Sequence, residues 1–330
     1  MTARVRVIVL NFNGGEMVQR AVASVLASRW PADALDVVVV DNASTDGSAD
    51  RVAAMFPAVR VVRSARNVGF PANNLAMGDL TDVEFVALVN PDAFVDADWL
   101  GPLVAALAAD ERLGAACPLM LFVARDAEGR EIINNAGSEV LTNGYARDRS
   151  MGVVHTPGTL EPADVFAWSG GAVVLRRQFL EDVGLFDARF FLYYEDTDLS
   201  WRGRSRGWRY RFVPDSIVHH HHAATVGVGS PTHRYFTERN RLLMLMKNAP
   251  PAMALRQLVR FPLSTASYLW SDAIAPLGHG RRPHLGTVAS RVRSYGGVLR
   301  HTFYALRARR RIACRRTEDP QRLVAELVRD

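Results

Sequence analysis

The first half of the chain alternates two hydrophobic rhythms. Val5–Leu10 is apolar and β-branched, Leu35–Val40 is a continuous apolar run, and Glu84–Val89 ends in another, each predicting a buried strand. Between them Glu16–Ser28 carries apolar residues at helical spacing, Asp50–Met55 and Pro71–Met77 predict further helices, and Val59–Arg63 a short strand. Apolar strands separated by helices imply an α/β fold with a mostly parallel sheet covered on both faces. Ligands bind such sheets in the crevice beyond the carboxyl ends of the strands. Polar clusters follow Leu10, Val40 and Val89, at corresponding strand ends.

Beyond about residue 110 the alternation loosens. Asn134–Tyr145 predicts turn-rich antiparallel structure, and Val165–Leu175 holds Trp168-Ser169-Gly170-Gly171 inside an apolar stretch. Phe179–Gly184 and Glu195–Gly207 predict helices; Tyr210–Val213 and Ile217–His222 predict two strands. From Thr237 the pattern is helical, and it is arginine-rich from Arg281. The expected division is one domain over 1–240 and a helical, basic extension over 241–330.

Composition narrows the class. In 330 residues, 48% are hydrophobic and 22% charged, which excludes wholesale disorder. The net charge of +6 conceals an asymmetry: residues 241–330 hold 17 Lys+Arg against 5 Asp+Glu, and the first 240 hold 23 against 29. A basic tail on an acidic body points to an anionic tail partner, either lipid headgroups, a lipid-linked phosphate or nucleic acid. The acidic body and the lack of aromatic-basic interleaving count against nucleic acid. Pro251–Ala275 mixes Leu, Val, Phe, Tyr and Trp with Arg256 and Arg260, and reads equally as an interfacial anchor or as an ordinary subdomain with a solvated basic face. Two cysteines, Cys117 and Cys314, supply no disulfide framework, which suits a reducing compartment. The apolar run near the N-terminus reads as a strand rather than a signal peptide, and no stretch approaches the roughly 20 apolar residues of a spanning helix.

Several clusters carry candidate chemistry. Asp41 ends a run of four valines, where its carboxylate either accepts from a pyrimidine or ribose or, with Ser44, caps the helix beginning near Gly47. Arg66-Asn67-Val68-Gly69-Phe70 sets a cation, an amide and a glycine before a helix start, which suits a phosphate or nucleotide edge. Asn90-Pro91-Asp92 is turn chemistry, and its acid is also a hard-oxygen ligand for Mg²⁺ or Mn²⁺ beside a diphosphate. Glu195, Asp196 and Asp198 open a helix after the aromatic run Phe190–Tyr194. Desolvation by that run would draw Glu195 and Asp196 toward general-base behaviour; Asp198 is read as a partner of the helix dipole. Arg202 either pairs with Asp198 at i,i+4 or reaches a diphosphate. In His219–His222, strand alternation places His220 and His222 on one face, where histidine can complete a metal shell begun by Asp92.

The order of these clusters resembles glycosyltransferase family 2, inverting enzymes of the GT-A (Rossmann-like) fold, and within it the rhamnosyltransferase-like branch. The matching pieces are Leu10-Asn11-Phe12-Asn13, Asp41–Gly47, Asn67–Phe70, Asn90-Pro91-Asp92, Gly170-Gly171, Glu195–Leu199 and Glu238-Arg239-Asn240. The resemblance implies donor binding by Asn11, Asn13, Asp41, Asn67, Gly69, Asp92 and Arg202, with Asp41 on the base. It implies a divalent cation, Mg²⁺ or Mn²⁺, at Asp92 with His220, or secondarily His222. Asp196 becomes the catalytic base with Glu195 beside it, and Trp168, Gly170 and Gly171 line the acceptor. The implied donor is a dTDP- or UDP-sugar, dTDP-L-rhamnose before UDP-galactofuranose or a UDP-hexose, and the acceptor a lipid-linked or glycan hydroxyl. A cytoplasmic enzyme, peripheral at the inner face of the membrane, follows as the expected location, with homo-oligomerisation open. The first turn has neither the lysine of a nucleotidyltransferase signature nor the Gly-x-Gly-x-x-Gly of a dehydrogenase.

Overall fold

The structure, a computed structural model, describes residues 2–221, 229–278, 282 and 285–329. The chain divides into two compact units, Met1–Val140 with Ala146–Ala224, and Leu141–Tyr145 with Thr225–Asp330. The division therefore falls upstream of 240/241, because the helix Pro231–Asn248 is one continuous element of the second unit.

In the first unit β1 (Val5–Asn11), β2 (Leu35–Asp41), β3 (Arg60–Arg63) and β4 (Phe85–Val89) are parallel. Next come β5 (Ala93–Val95), β6 (Leu113–Phe122), β7 (Ile133–Asn135), β8 (Ser138–Val140), β9 (Ala146–Asp148), β10 (Ala163–Val165), β11 (Ala172–Arg176) and β12 (Arg209–His220). The sheet order is β10-β12-β6-β11-β4-β1-β2-β3, with β12 parallel to β6 and β11 antiparallel between β6 and β4. Helices α1 (Gly15–Leu26), α2 (Ser48–Met55), α3 (Leu100–Ala109), α4 (Arg177–Val183) and α5 (Glu195–Arg204) complete the unit. The continuous apolar runs arise because both faces are covered. Val7, Val9, Val37 and Val39 pack with Val18 and Val22 of α1 and Leu103 of α3, while Ile8, Val38 and Val40 pack with Phe70 and Met77 on the other face.

Two elements differ from their sequence patterns. Phe70–Ala76 forms 3-10 turns rather than an α-helix. There the Asn73 amide donates to the Phe70 carbonyl, and Asn74 exchanges two bonds with the Phe186 backbone, side-chain partners that compete with helix propagation. The two strands expected over 210–222 are one strand, β12, whose register shifts between Val213 and Ile217 around Pro214. His222 lies outside the described residues.

The second unit is helical: α6 (Pro231–Asn248), α7 (Pro251–Leu269), a π turn (Trp270–Ile274), α8 (Ala275–Gly278), α9 (Gly286–Arg315) and α10 (Pro320–Ala325). Glu238 accepts from the Tyr145 hydroxyl at 2.6 Å and from Arg241 at 3.1 Å, and Arg291 of α9 stands 3.5 Å away. The Glu238-Arg239-Asn240 motif thus sits within the packing of α6. Among the described residues no helix is long and apolar enough to cross a membrane.

Candidate active site

Parallel register sets Asn11 beside Asp41 at the carboxyl ends of β1 and β2. The fully buried Asn11 amide donates toward Asp41 Oδ1 at 3.1 Å, Ser44 Oγ at 3.1 Å and Ser48 Oγ at 2.9 Å, and its oxygen accepts from Gly14 N. Asn13, at φ +52°, accepts from Thr45 N at 2.8 Å. Both asparagines tie the loop after β1 to the loop after β2. Asp41 does not cap α2, whose N-cap is Gly47 in the left-handed region. Its Oδ1 is occupied by Asn11 and Ser44 N, while Oδ2 faces Arg63 at 3.7 Å.

The next loop is built from below. Asn42 donates to Asn67 Oδ1 and the Gly69 carbonyl and accepts from Val68 N, and Asn67 Oδ1 also accepts from Gly69 N. Gly69 has φ +74° and packs on the Phe191 carbonyl so closely that a Cβ would overlap it. Phe70 N donates to that same oxygen at 2.7 Å. Phe191, Tyr193 and Tyr194 all have positive φ, so the turn before α5 holds three bulky residues in a costly conformation.

Asp92 lies past the end of β4 and is 5% exposed. Antiparallel pairing of β5 with β12 aligns His220 with Ala93 and brings His220 Nε2 to 3.3 Å from Asp92 Oδ1. The other ring nitrogen, Nδ1, bonds Asn134 Oδ1 at 2.9 Å, so Nδ1 carries the proton in the neutral ring and the Nε2 lone pair faces the carboxylate. Burial raises the Asp92 pKa, but a protonated His220, which donates from Nε2, and the charges of His220 and His221 outweigh it, leaving it below the usual carboxylate value; in the neutral ring the Nε2 lone pair and the carboxylate face each other. Two lone pairs facing each other suit a cation between them, since two donors about 2.1 Å from one ion at a right angle stand about 3 Å apart. The Asn134 bond is the outer support that metal-binding histidines require. Among the described residues no group of three His, Cys, Asp or Glu side chains forms a metal cage. The residues present therefore fit an open site, completed by ligand oxygens.

Asp196 is joined to this strand end through the glycine pair. Asn90 N donates to the Gly171 carbonyl at 2.9 Å, and Gly170 N donates to Asp196 Oδ2 at 3.0 Å. A Cβ on Gly170 would stand 2.5 Å from Phe70 Cζ, so the loop requires glycine to reach the carboxylate. Asp196 Oδ1 accepts from Thr197 N at 2.6 Å. Burial raises the Asp196 pKa despite these bonds, with Asp148 of β9 adding to the rise. Glu195 is 5% exposed, its Oε2 has no hydrogen-bond partner, and burial next to Asp196 and Asp198 lifts its pKa well above the ordinary value.

Trp168 is fully buried, edge-on to Phe186 at 6.1 Å, so its ring is a core element rather than an open wall. Arg202 resolves toward the i,i+4 reading: it pairs with Asp198 at 3.0 Å and donates to the Val183 and Leu185 carbonyls, which turns its guanidinium away from any diphosphate. A separate cavity of about 390 Å³, lined by Arg20, Phe94, Arg125 and His219 among others, opens on the His219 side of β12 rather than at His220. Asn42, Asn134 and Asp148 were not singled out from sequence; only their placement beside Gly69, His220 and Asp196 marks them.

The mostly parallel sheet with its flanking helices is the GT-A fold. The solved-structure comparisons agree on the fold. A mannosyltransferase of Pyrobaculum calidifontis in complex with GDP-Man and Mn²⁺ superposes with a TM-score of 0.52 at 20% identity, covering 92% of this chain and 88% of that one. GalNAc-T7 with UDP, GalNAc and Mn²⁺ gives 0.55 at 20% identity over 75% of this chain, which spans about half (52%) of that protein. Residues 6–167 match the family model "Glycosyl transferase family 2", which supports a family 2 glycosyltransferase-like protein. It is similar to the N-acetylglucosaminyl-diphospho-decaprenol L-rhamnosyltransferase of Mycobacterium tuberculosis, 28% identical over 256 residues covering 71% of this chain and 81% of the relative.

Proposed function

We propose that the enzyme transfers a sugar, with inversion, from a nucleoside diphosphate to a hydroxyl of a lipid-linked or glycan cell-envelope acceptor. The favoured donor is dTDP-L-rhamnose; the choice of sugar follows the mycobacterial relative, an L-rhamnosyltransferase. The observation that carries the reading is the Asp92–His220 pair, 3.3 Å apart with Asn134 behind it, at the carboxyl edge of the sheet.

Asp41 Oδ2 is the acceptor for the base N–H, since Oδ1 is already used by Asn11 and Ser44. A divalent cation held by Asp92 and His220 would offset the charge that develops on the departing diphosphate. Asp196 takes the proton of the acceptor hydroxyl; the freed oxygen attacks the anomeric carbon from the face opposite the diphosphate, and the bond to the diphosphate breaks. Gly170 N fixes Asp196 Oδ2, and Thr197 fixes Oδ1, so the base is oriented by backbone donors. Glu195 is pushed toward its protonated form, because burial raises its pKa and two adjacent buried carboxyls resist ionising together. Asn11, Asn13, Asn67 and Gly69 act by shaping the loops around the donor.

Incubation with dTDP-rhamnose, UDP-galactofuranose and UDP-hexoses, with Mn²⁺ or Mg²⁺ and a prenyl-diphosphate-linked sugar, tests the proposal. Transfer from dTDP-rhamnose supports it; transfer only from a UDP-sugar replaces the donor. Absence of transfer and of donor binding across the panel, by folded protein, overturns it.

A further inference from the structure

The helix α7 of the second unit is buried on one side and apolar on the other. Met253, Ala254, Gln257 and Phe261 are buried, Phe261 stacking on Tyr295 of α9 at 5.9 Å while the Arg291 guanidinium lies 4.0 Å from the Phe261 ring centroid. Arg291 also donates to Ser264 and Thr265, which holds that inner face to α9. The outer face carries Leu255, Val259, Leu263 and Trp270, within an arc of about 80° at 3.6 residues per turn. Ile274 and Leu277 carry the row past the π turn, and all six are 45–66% exposed. A solvated helix face of this length would ordinarily be polar.

The charged residues of α7 itself, Arg256 and Arg260, have one sign. Residues 251–317 contain 13 arginines and a single acid, Asp272. Exposed Arg256 and Arg260 follow immediately on exposed Leu255 and Val259 along α7. A second copy of the chain seated on this face would bring arginine rows against arginine rows in a low-dielectric contact. An anionic lipid surface accepts the apolar row among its acyl chains and the arginines among its headgroups, and Trp270 suits the boundary between them. We infer that the outer face of α7 and α8 docks in the plane of an anionic bilayer. The inference deepens the lipid-linked acceptor reading and rests on it for its purpose, since a docked enzyme meets such an acceptor at its own surface.

The test is co-sedimentation of the full chain with vesicles of phosphatidylcholine alone, or with phosphatidylglycerol added, at physiological salt and without donor or acceptor. The expected result is binding to the anionic vesicles only, a drop of about tenfold for Leu263→Glu with Trp270→Glu, and a smaller drop for Arg256→Ala with Arg260→Ala. Thermal melts and donor hydrolysis in lipid-free buffer are expected to match wild type, which separates failure of docking from failure of the transferase reading. Undiminished sedimentation of the Leu263→Glu, Trp270→Glu variant overturns the inference. So does a wild-type dimer in lipid-free ultracentrifugation that the same variant dissociates, because a second copy then covers the face.

Discussion

Asp92 and Glu195 are both carboxyl groups 5% exposed in the same unit, and their surroundings push them in opposite directions. At Asp92, burial is overcome when His220 is protonated, through its hydrogen bond and the histidine charges, and the carboxyl is held below its ordinary pKa. At Glu195, burial is reinforced by Asp196 and Asp198, one oxygen is left without a partner, and the pKa is driven well above the ordinary value. Burial alone therefore does not decide what a carboxyl does; the sign and hydrogen-bonding capacity of its neighbours do. In the proposed function the region after β4 presents negative charge to a cation, and the start of α5, by raising the Asp196 pKa, draws that carboxyl toward the behaviour of a base.

The largest expected effect lies at the base. Asp196→Asn keeps the shape and the Gly170 contact but removes the proton acceptor, so transfer is expected to fall by about a thousandfold with donor affinity within a few fold. Single-turnover assays beside calorimetric donor titration check the split; unimpaired transfer would sink the assignment. In wild type, the raised Asp196 pKa sets the acid limb of kcat/KM above the ordinary carboxylate range, with activity rising as pH increases through it. A limb at or below pH of about 4 would remove Asp196 from the role.

The opposite region is probed through Asn134, a positioning residue. Asn134→Ala frees the His220 ring to turn, and Mn²⁺ affinity in the presence of nucleoside diphosphate is expected to drop about 10- to 100-fold. Asn134→Asp, which keeps an acceptor at Nδ1, is expected to restore most of it. Excess Mn²⁺ rescuing the rate of the alanine variant would place the defect in metal binding rather than in chemistry. Equal Mn²⁺ affinity in all three proteins would break the contrast between the two regions.

How far the comparison was legible in sequence follows from where each contact originates. Valine runs show where strands end, so Asp41 and Asp92 were visible as strand-end acids, and alternation assigned His220 its face. Asn134 was not visible, because its bond to His220 spans 86 positions and it lies in a turn-rich stretch where asparagine is ordinary. Gly69 read as part of a loop suited to a phosphate or nucleotide edge, whereas its need for glycine comes from the Phe191 carbonyl, more than a hundred residues on. The fusion of two expected strands into β12 was hidden by Pro214, which looks like a break and is accommodated by a register shift. Arg202 looked free to reach a phosphate because the carbonyls it serves, Val183 and Leu185, close on it only in the fold.

The smallest effect is also the one that isolates Glu195. Its folded pKa stands above its unfolded value, so the unfolded chain ionises first as pH rises. Its stabilising contribution is complete below the unfolded pKa of roughly 4.3 and is lost as pH climbs through the folded value. Glu195→Gln keeps the shape without the ionisable group and is expected to match wild type near pH 4, then to become the more stable of the two as pH rises toward 7.5. Urea melts at the two pH values measure the difference. A stability gap of the same size at both would mean that packing, not charge, distinguishes the variant, and the raised proton affinity assigned to Glu195 would fail with it.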